Sequence, residues 1–205
     1  NSAAQTGFED INLSAYSQTG SDGADITGSS DANVIAGTAY VDTIKLASGG
    51  SDTVVFAASS GSDVITGFQA GATASGGDVL DLSALTASAF TFATGSGSTA
   101  ITAQAANAGT AVDLANKLTF IDSSGATVDT LSEVQALVTA TGGTAGEWKL
   151  ADNAKALVAY GDVADGVQVF NLYEVTGAST DVCTHLGSFE TNDGDALLVA
   201  NFNIA

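Results

Sequence analysis

The feature that most constrains this chain is a short unit that recurs between residues 20 and 83. Each copy has glycine and other small residues, then an Asp or Asn, then any residue, then an aliphatic residue. We call the Asp or Asn position the slot; the predicted slots are Asp25, Asn33, Asp42, Asp52 and Asp63, at steps of 8, 9, 10 and 11 residues. Such a unit holds one turn and one short strand, but it is too short for a helix-containing repeat. Two units would therefore complete one circuit of a flattened coil, with a small parallel sheet on each side.

The aliphatic residue two positions after each slot is expected to point inward and to stack on its equivalent in the next rung. These inward residues are Ile35, Ile44, Val54 and Ile65, whereas the first copy has Thr27 at this position. Stacking at about 4.8 Å would bring the slot carboxylates equally close. Two such charges repel by roughly 3 kcal/mol at an effective dielectric of about 20. A divalent cation between the turns would reverse the sign, and calcium prefers carboxylate and carbonyl oxygens.

The same segment resembles a known family. The spacing is similar to the calcium-binding GGxGxDxUx repeat, although the copies are degenerate. Asp63–Phe68 and Gly77–Ser83 resemble the end of the repeat region in serralysin-type proteases, and Gly7–Ser14 resembles the rungs that precede such repeats in bacterial surface-layer proteins. The resemblance, which covers residues 7–85, is to the repeats-in-toxin (RTX) proteins of type I secretion. It implies a parallel β-roll with calcium bound in its turns.

The predicted metal ligands are the slot residues and the acids that flank them. On one side of the roll Asp25 should lie near Asp42 and Asp63, and on the other side Asn33 should lie near Asp52. The resemblance implies that Asp78 and Asp81 close the last site. The alternative is a solvated acidic face without metal. The full candidate set for several calcium ions is Asp22, Asp25, Asn33, Asp42, Asp52, Asp63, Asp78 and Asp81.

Three regions are predicted in an all-β chain. Residues 1–85 should form the parallel β-roll, and residues 86–146 an insertion or cap with a short helix near 132–141, where Gly142 and Gly143 follow the helical pattern. Residues 147–205 should be mostly antiparallel β, because Asp165–Gly166 is a hairpin signal between two alternating runs. The acidic and then apolar residues from 193 onward resemble the carboxy-terminal secretion signal of type I substrates; an ordinary final strand is the alternative.

Composition excludes several classes of partner. The formal charge is −19, with four Lys and Arg residues against 23 Asp and Glu. A nucleic-acid interface needs a basic face, and no run of apolar residues is long enough for a transmembrane helix. The single Cys183 excludes an intrachain disulfide. Together with the resemblance, this favours a secreted protein at a bacterial cell surface; because the chain starts at Asn1, we expect a carboxy-terminal piece of a longer protein.

Catalytic readings find little support in the sequence. His185 is the only histidine, so HExxH is impossible and any triad must use that residue. Cys183 and His185 are too few for a tetrahedral metal site, and an incidental strand pair is the plainer interpretation. Trp148, Tyr160, Phe170 and Tyr173 are expected to pack in the terminal region, with a carbohydrate-binding aromatic face as the alternative. We therefore predict no enzyme activity.

Two functions are consistent with these features. The first is a non-catalytic calcium-binding structural module of a surface layer, fibre or adhesin, in which calcium drives folding after export and can also drive self-assembly. The second is the same module as the tail of an extracellular hydrolase, a protease or a lipase, whose active site lies upstream. Calcium, the type I secretion machinery and further copies of the chain are the expected partners.

Overall fold

The computed structural model describes residues 9–16, 22–46, 49–56, 61–71, 76–85, 91–92, 104–105, 117–122, 150, 153–162, 168–178, 182–191 and 196–204. These residues form fourteen strands and two 3-10 turns, Ser83–Leu85 and Val199–Asn201, with no α-helix in the described ranges. The helix predicted near 132–141 lies outside them. The part of the chain that is described contains no helix long and apolar enough to cross a membrane. The chain is therefore β-rich, as the sequence predicts.

The first seven strands are short and alternate between two sheets. They are β1 Asp10–Asn12, β2 Asp25–Thr27, β3 Val34–Ala36, β4 Thr43–Lys45, β5 Thr53–Val55, β6 Asp63–Phe68 and β7 Val79–Asp81. Strands β1, β3, β5 and β7 pair in that order in one sheet, and β2, β4 and β6 pair in the other. Every one of these pairings is parallel. The alternation follows from one turn and one strand per unit.

The aliphatic position of each unit faces the space between the two sheets. Ile35 pairs in register with Val54, and Ile44 pairs with Ile65. All four side chains are buried, which confirms the predicted inward column. Residues on either side of them are exposed or half-buried, as period-two alternation requires.

The remaining strands extend both sheets. They are β8 Thr91–Phe92, β9 Gln104–Ala105, β10 Lys117–Asp122, β11 Lys155–Asp162, β12 Val169–Thr176, β13 Val182–Thr191 and β14 Phe202–Asn203. Strands β11, β12 and β13 are antiparallel neighbours, as the hairpin signal predicts. Strand β13 then pairs parallel to β6, and β14 pairs parallel to β7. The result is an open five-stranded parallel sheet and an open nine-stranded mixed sheet.

One hydrophobic core joins the repeat region to the carboxy-terminal strands. Its members run from Ile26 to Ile204 and come from both sheets. Phe68 of β6 lies 5.5 Å from Phe189 of β13, measured between ring centroids, and Phe189 lies 5.9 Å from Phe202 of β14. The repeat strands and the terminal strands therefore bury their apolar side chains against each other.

Candidate functional site

The structure shifts the first slot by one residue. Ile26 pairs in register with Ile44, and Asp25 pairs with Thr43, so the slot of the first unit is Ala24. Asp25 is exposed on β2. The assignment of Asp25 as a slot, and its expected place beside Asp42, is wrong because the inward residue of this unit is the buried Ile26 and not the exposed Thr27. The steps from Ala24 to Asn33 and from Asn33 to Asp42 are then both nine residues.

On the β2–β4–β6 side, the buried side chains of Asp42 and Asp63 each accept a backbone hydrogen bond from the neighbouring rung. The Ala24 N–H donates to Asp42 Oδ1 at 2.6 Å, and the Asp42 N–H donates to Asp63 Oδ1 at 2.9 Å. Asp42 and Asp63 therefore lie next to each other as predicted. Backbone amides, as well as cations, can therefore face these carboxylates.

The β3–β5–β7 side repeats this arrangement. The Asn33 N–H donates to Asp52 Oδ1 at 2.8 Å, and the Asp52 N–H donates to Asp78 Oδ1 at 2.9 Å. The predicted proximity of Asn33 to Asp52 is confirmed, and Asp78 proves to be the next slot. We call these two series the slot ladders: Ala24, Asp42 and Asp63 on one side, and Asn33, Asp52 and Asp78 on the other.

Two of the slot carboxylates accept hydrogen bonds on both of their oxygens. Asp42 Oδ2 accepts the Thr38 N–H at 2.6 Å, and its Oδ1 also accepts the Thr38 hydroxyl at 2.8 Å. Asp78 Oδ2 accepts the Gln69 N–H at 2.8 Å. Both residues are completely buried. Charge-assisted bonds from backbone amides stabilise a buried carboxylate, so these two negative charges are compensated without a metal.

The other two slot carboxylates are less well compensated. Burial raises the pKa of Asp63 to about 7, the Asp42 N–H opposes that rise, and the neighbouring Asp42 charge adds to it. Burial also raises the pKa of Asp52, against the hydrogen bond from the Asn33 N–H. Asp52 Oδ2 is buried and has no hydrogen-bond partner. An uncompensated buried carboxylate is costly, so Asp52 and Asp63 are where a proton or a cation would most stabilise the fold.

The remaining predicted ligands lie at the surface. Asp22 and Asp25 are exposed. Asp81 is half-buried, and its Oδ1 accepts the Ser83 N–H at 3.0 Å within the same turn. This bond fixes the start of the 3-10 turn at Ser83–Leu85.

Glycines in the turns let the rungs approach each other. Gly50 has φ +83°, and a Cβ there would come within 2.7 Å of the Asp31 carbonyl. Gly61 has φ +81°, and a Cβ there would clash with the Tyr40 carbonyl. Only glycine combines this conformation with so close a backbone approach. Glycine at these two positions is therefore required by stacking itself, whether or not carbonyls also bind an ion.

Calcium fits some of the predicted residues better than others. No group of three or more His, Cys, Asp or Glu side chains in the described ranges is arranged to hold a metal ion. Asp42 and Asp78 already use both carboxylate oxygens, whereas Asp52 has one without a partner. Calcium typically takes about six to eight oxygens, so the ladders alone do not form a complete cage. Calcium ligation by the eight candidates stays a prediction, and Asp52 and Asp63 are the residues best suited to it.

One buried polar residue was missed from the sequence. Asn201 is completely buried, and the pairing of Phe202 with Leu80 places it one position beyond the slot, because Ala200 is the residue opposite Asp78. The Asn201 Nδ2 reaches across and donates to the Asp78 carbonyl at 2.7 Å. No repeat signal marks Asn201, because its segment lacks the slot motif and lies more than 100 residues from the repeat units.

The residues considered for catalysis or soft-metal binding take places in the terminal sheet. Cys183 is buried on β13 and is not part of a disulfide. Burial lowers the pKa of His185, whose ring lies 5.1 Å from that of Tyr173. Tyr160, Phe170 and Tyr173 are buried, as expected for packing residues, while Trp148 lies outside the described residues.

Comparisons with protein-family models, with curated proteins and with solved structures return no match for this chain.

Proposed function

We propose that this chain is a non-catalytic structural module, a parallel β-roll of a secreted bacterial surface protein. The observation that carries the proposal is the pair of slot ladders, in which four Asp side chains accept backbone N–H groups from the neighbouring rungs. Alternation of β1 to β7 between two sheets supports the roll, since a chain that coils with two strands per circuit produces that order. A module of this kind supplies a rigid, stackable body, and it needs no reactive group.

The proposal includes calcium binding at the carboxylates of Asp52 and Asp63. These two residues hold the slot carboxylates whose pKa values burial raises, and a bound cation would offset that cost. The formal charge of −19 makes a cation the natural partner of the whole chain. Export as an unfolded acidic chain and folding in the calcium-rich exterior are consistent with such a linkage. Type I secretion and assembly into a layer or fibre remain part of the same proposal.

The proposal is tested by unfolding the chain with urea at about pH 8 in EDTA, in millimolar calcium and in millimolar magnesium. We expect calcium to raise the unfolding midpoint more than magnesium does, because only the folded state would bind it. Asp52→Asn keeps an oxygen for the Asn33 N–H but removes the charge, so calcium should stabilise this variant less.

Asp25→Asn is the matched control, because it removes one charge from an exposed position. It should retain the calcium effect of the original chain. Equal midpoints in calcium and magnesium would reject calcium as the ligand, and sedimentation of the same samples tests whether calcium drives assembly. A non-cooperative, broad transition under every condition would reject the structural-module proposal itself.

A further inference from the structure

The last described segment, residues 196–204, closes one end of the five-stranded sheet. It contains the 3-10 turn Val199–Asn201 and strand β14, which pairs parallel to β7. The Leu82 N–H donates to the Asn203 carbonyl at 2.8 Å. We call residues 196–204 the latch. It follows β13 of the nine-stranded sheet in the sequence, yet it pairs in the other sheet.

Asn201 fixes the latch through four hydrogen bonds. Its Nδ2 donates to the Asp78 carbonyl at 2.7 Å and to the Gly71 carbonyl at 2.8 Å. Its Oδ1 accepts the Leu198 N–H at 2.8 Å and the Gly71 N–H at 3.2 Å. The side chain is completely buried. Because it donates twice and accepts twice, neither an Asp nor an apolar residue could satisfy all four partners.

Apolar contacts hold the latch against the core. Leu197, Phe202 and Ile204 are buried members of the shared cluster. The Phe202 ring centroid lies 5.1 Å from that of Phe120 and 5.9 Å from that of Phe189. Phe202 thus covers the inward residue of β7, Leu80, with which it pairs in register. Release of the latch would expose this apolar surface and the hydrogen-bonding edge of β7 together.

We propose that the latch shields the edge of β7 from a second copy of this chain, with Asn201 as its positioning residue. An open parallel edge offers unpaired N–H and C=O groups to any compatible strand, and short terminal strands limit that hazard. The segment that fits the β7 edge in register is the latch itself, so a neighbouring copy's latch is the matching occupant. This inference concerns Asn201 and β14, and it holds whether or not the slots bind calcium.

The test compares the full chain with Asn201→Ala and Asn203→Ala. Asn203 lies on the same strand, and its exposed side chain is a matched control. Hydrogen exchange of the Leu82 amide should accelerate at least roughly 10-fold in Asn201→Ala, while amides of β12 keep their protection. Sedimentation should show concentration-dependent dimers of Asn201→Ala, whereas Asn203→Ala and the original chain stay monomeric in EDTA.

Three outcomes would overturn the proposal: unchanged Leu82 exchange in Asn201→Ala, equal acceleration of Leu82 and β12, or a monomer at every concentration despite faster Leu82 exchange. If Asn201→Ala does not fold, the original chain still decides the matter. In dilute urea its Leu82 amide should exchange through a local opening before β12 amides do. Exchange of both through one global opening would show that no separate latch exists. Neither hydrogen exchange of the Leu82 amide nor sedimentation in EDTA depends on whether the slot residues bind calcium.

Discussion

Replacing Asp63 by Asn removes a negative charge from a residue that is only 3% exposed. The amide oxygen of Asn can still accept the Asp42 N–H, which now donates to Asp63 Oδ1 at 2.9 Å. The substitution therefore separates the charge of the slot side chain from its role as an acceptor. If the slot side chain holds the rungs together only by accepting this hydrogen bond, the variant should be at least as stable as the original chain.

The expected change in the free energy of unfolding follows from the pKa of Asp63, which burial raises from 3.8 to about 7. The folded state binds this proton more tightly than the unfolded state, so stability falls as the pH rises from about 4 to about 7 and stays low above that. A difference of about 3 pKa units, at about 1.4 kcal/mol per unit, amounts to a cost of up to about 4 kcal/mol. The cost falls below about 1 kcal/mol at about pH 4, where the folded state is protonated and the unfolded carboxyl is roughly half protonated.

The assay is urea unfolding in EDTA at several pH values between about 4 and 8. At about pH 8 we expect Asp63→Asn to be more stable than the original chain by up to about 4 kcal/mol, and at about pH 4 to differ little. Asp25→Asn is the control for the general relief of self-repulsion in a chain of charge −19, because it removes the same charge from the surface.

A variant that is less stable than the original chain at about pH 8 would refute the reasoning. So would a pH dependence that is the same with and without the Asp63 carboxylate. Repeating the series in calcium adds a second comparison: if Asp63 is a calcium ligand, calcium should stabilise the original chain and have a smaller effect on Asp63→Asn.

Two further substitutions test the stacking of the rungs, both by urea unfolding. Asp42→Ala should destabilise the fold by roughly 2–6 kcal/mol, because the buried Thr38 N–H and the partly buried Ala24 N–H lose their acceptor at about 1–3 kcal/mol each; a loss below about 1 kcal/mol would mean that water replaces the carboxylate. Gly50→Ala should cost more than the ~1 kcal/mol by which Gly-to-Ala exchanges usually change stability, since its Cβ would meet the Asp31 backbone; an unchanged midpoint would show that the turn can relax.

Much of the architecture could be predicted from the repeat. The inward positions Ile35, Ile44, Val54 and Ile65 follow from the recurrence of an aliphatic residue after each slot, and all four are buried. The antiparallel pairing of β11 with β12 follows from the turn signal between two alternating runs. These features are local, so a few neighbouring residues determine them.

The features that sequence reasoning missed depend on distant contacts. Nothing near Gly187 indicates that β13 pairs beside Asp63, or that Asn201 reaches Asp78. For the slot carboxylates, only part of the arrangement could be predicted from the sequence. Their proximity could be predicted from the rung spacing, but their partners could not, because a backbone N–H carries no sequence signature. Metal ligation and amide acceptance place the same residue types at the same spacing.

Each hydrogen bond between neighbouring slots joins residues one circuit apart, and the separations along the chain are 18, 19, 21 and 26 residues. The strands stay in register over this whole range, so extra residues must be accommodated in the bends. Insertions in the bends therefore leave the pairing of β1 to β7 unchanged, because each of these strands pairs only with its neighbours in its own sheet. The lengths of these bends can thus vary in evolution without any change to the inward side chains.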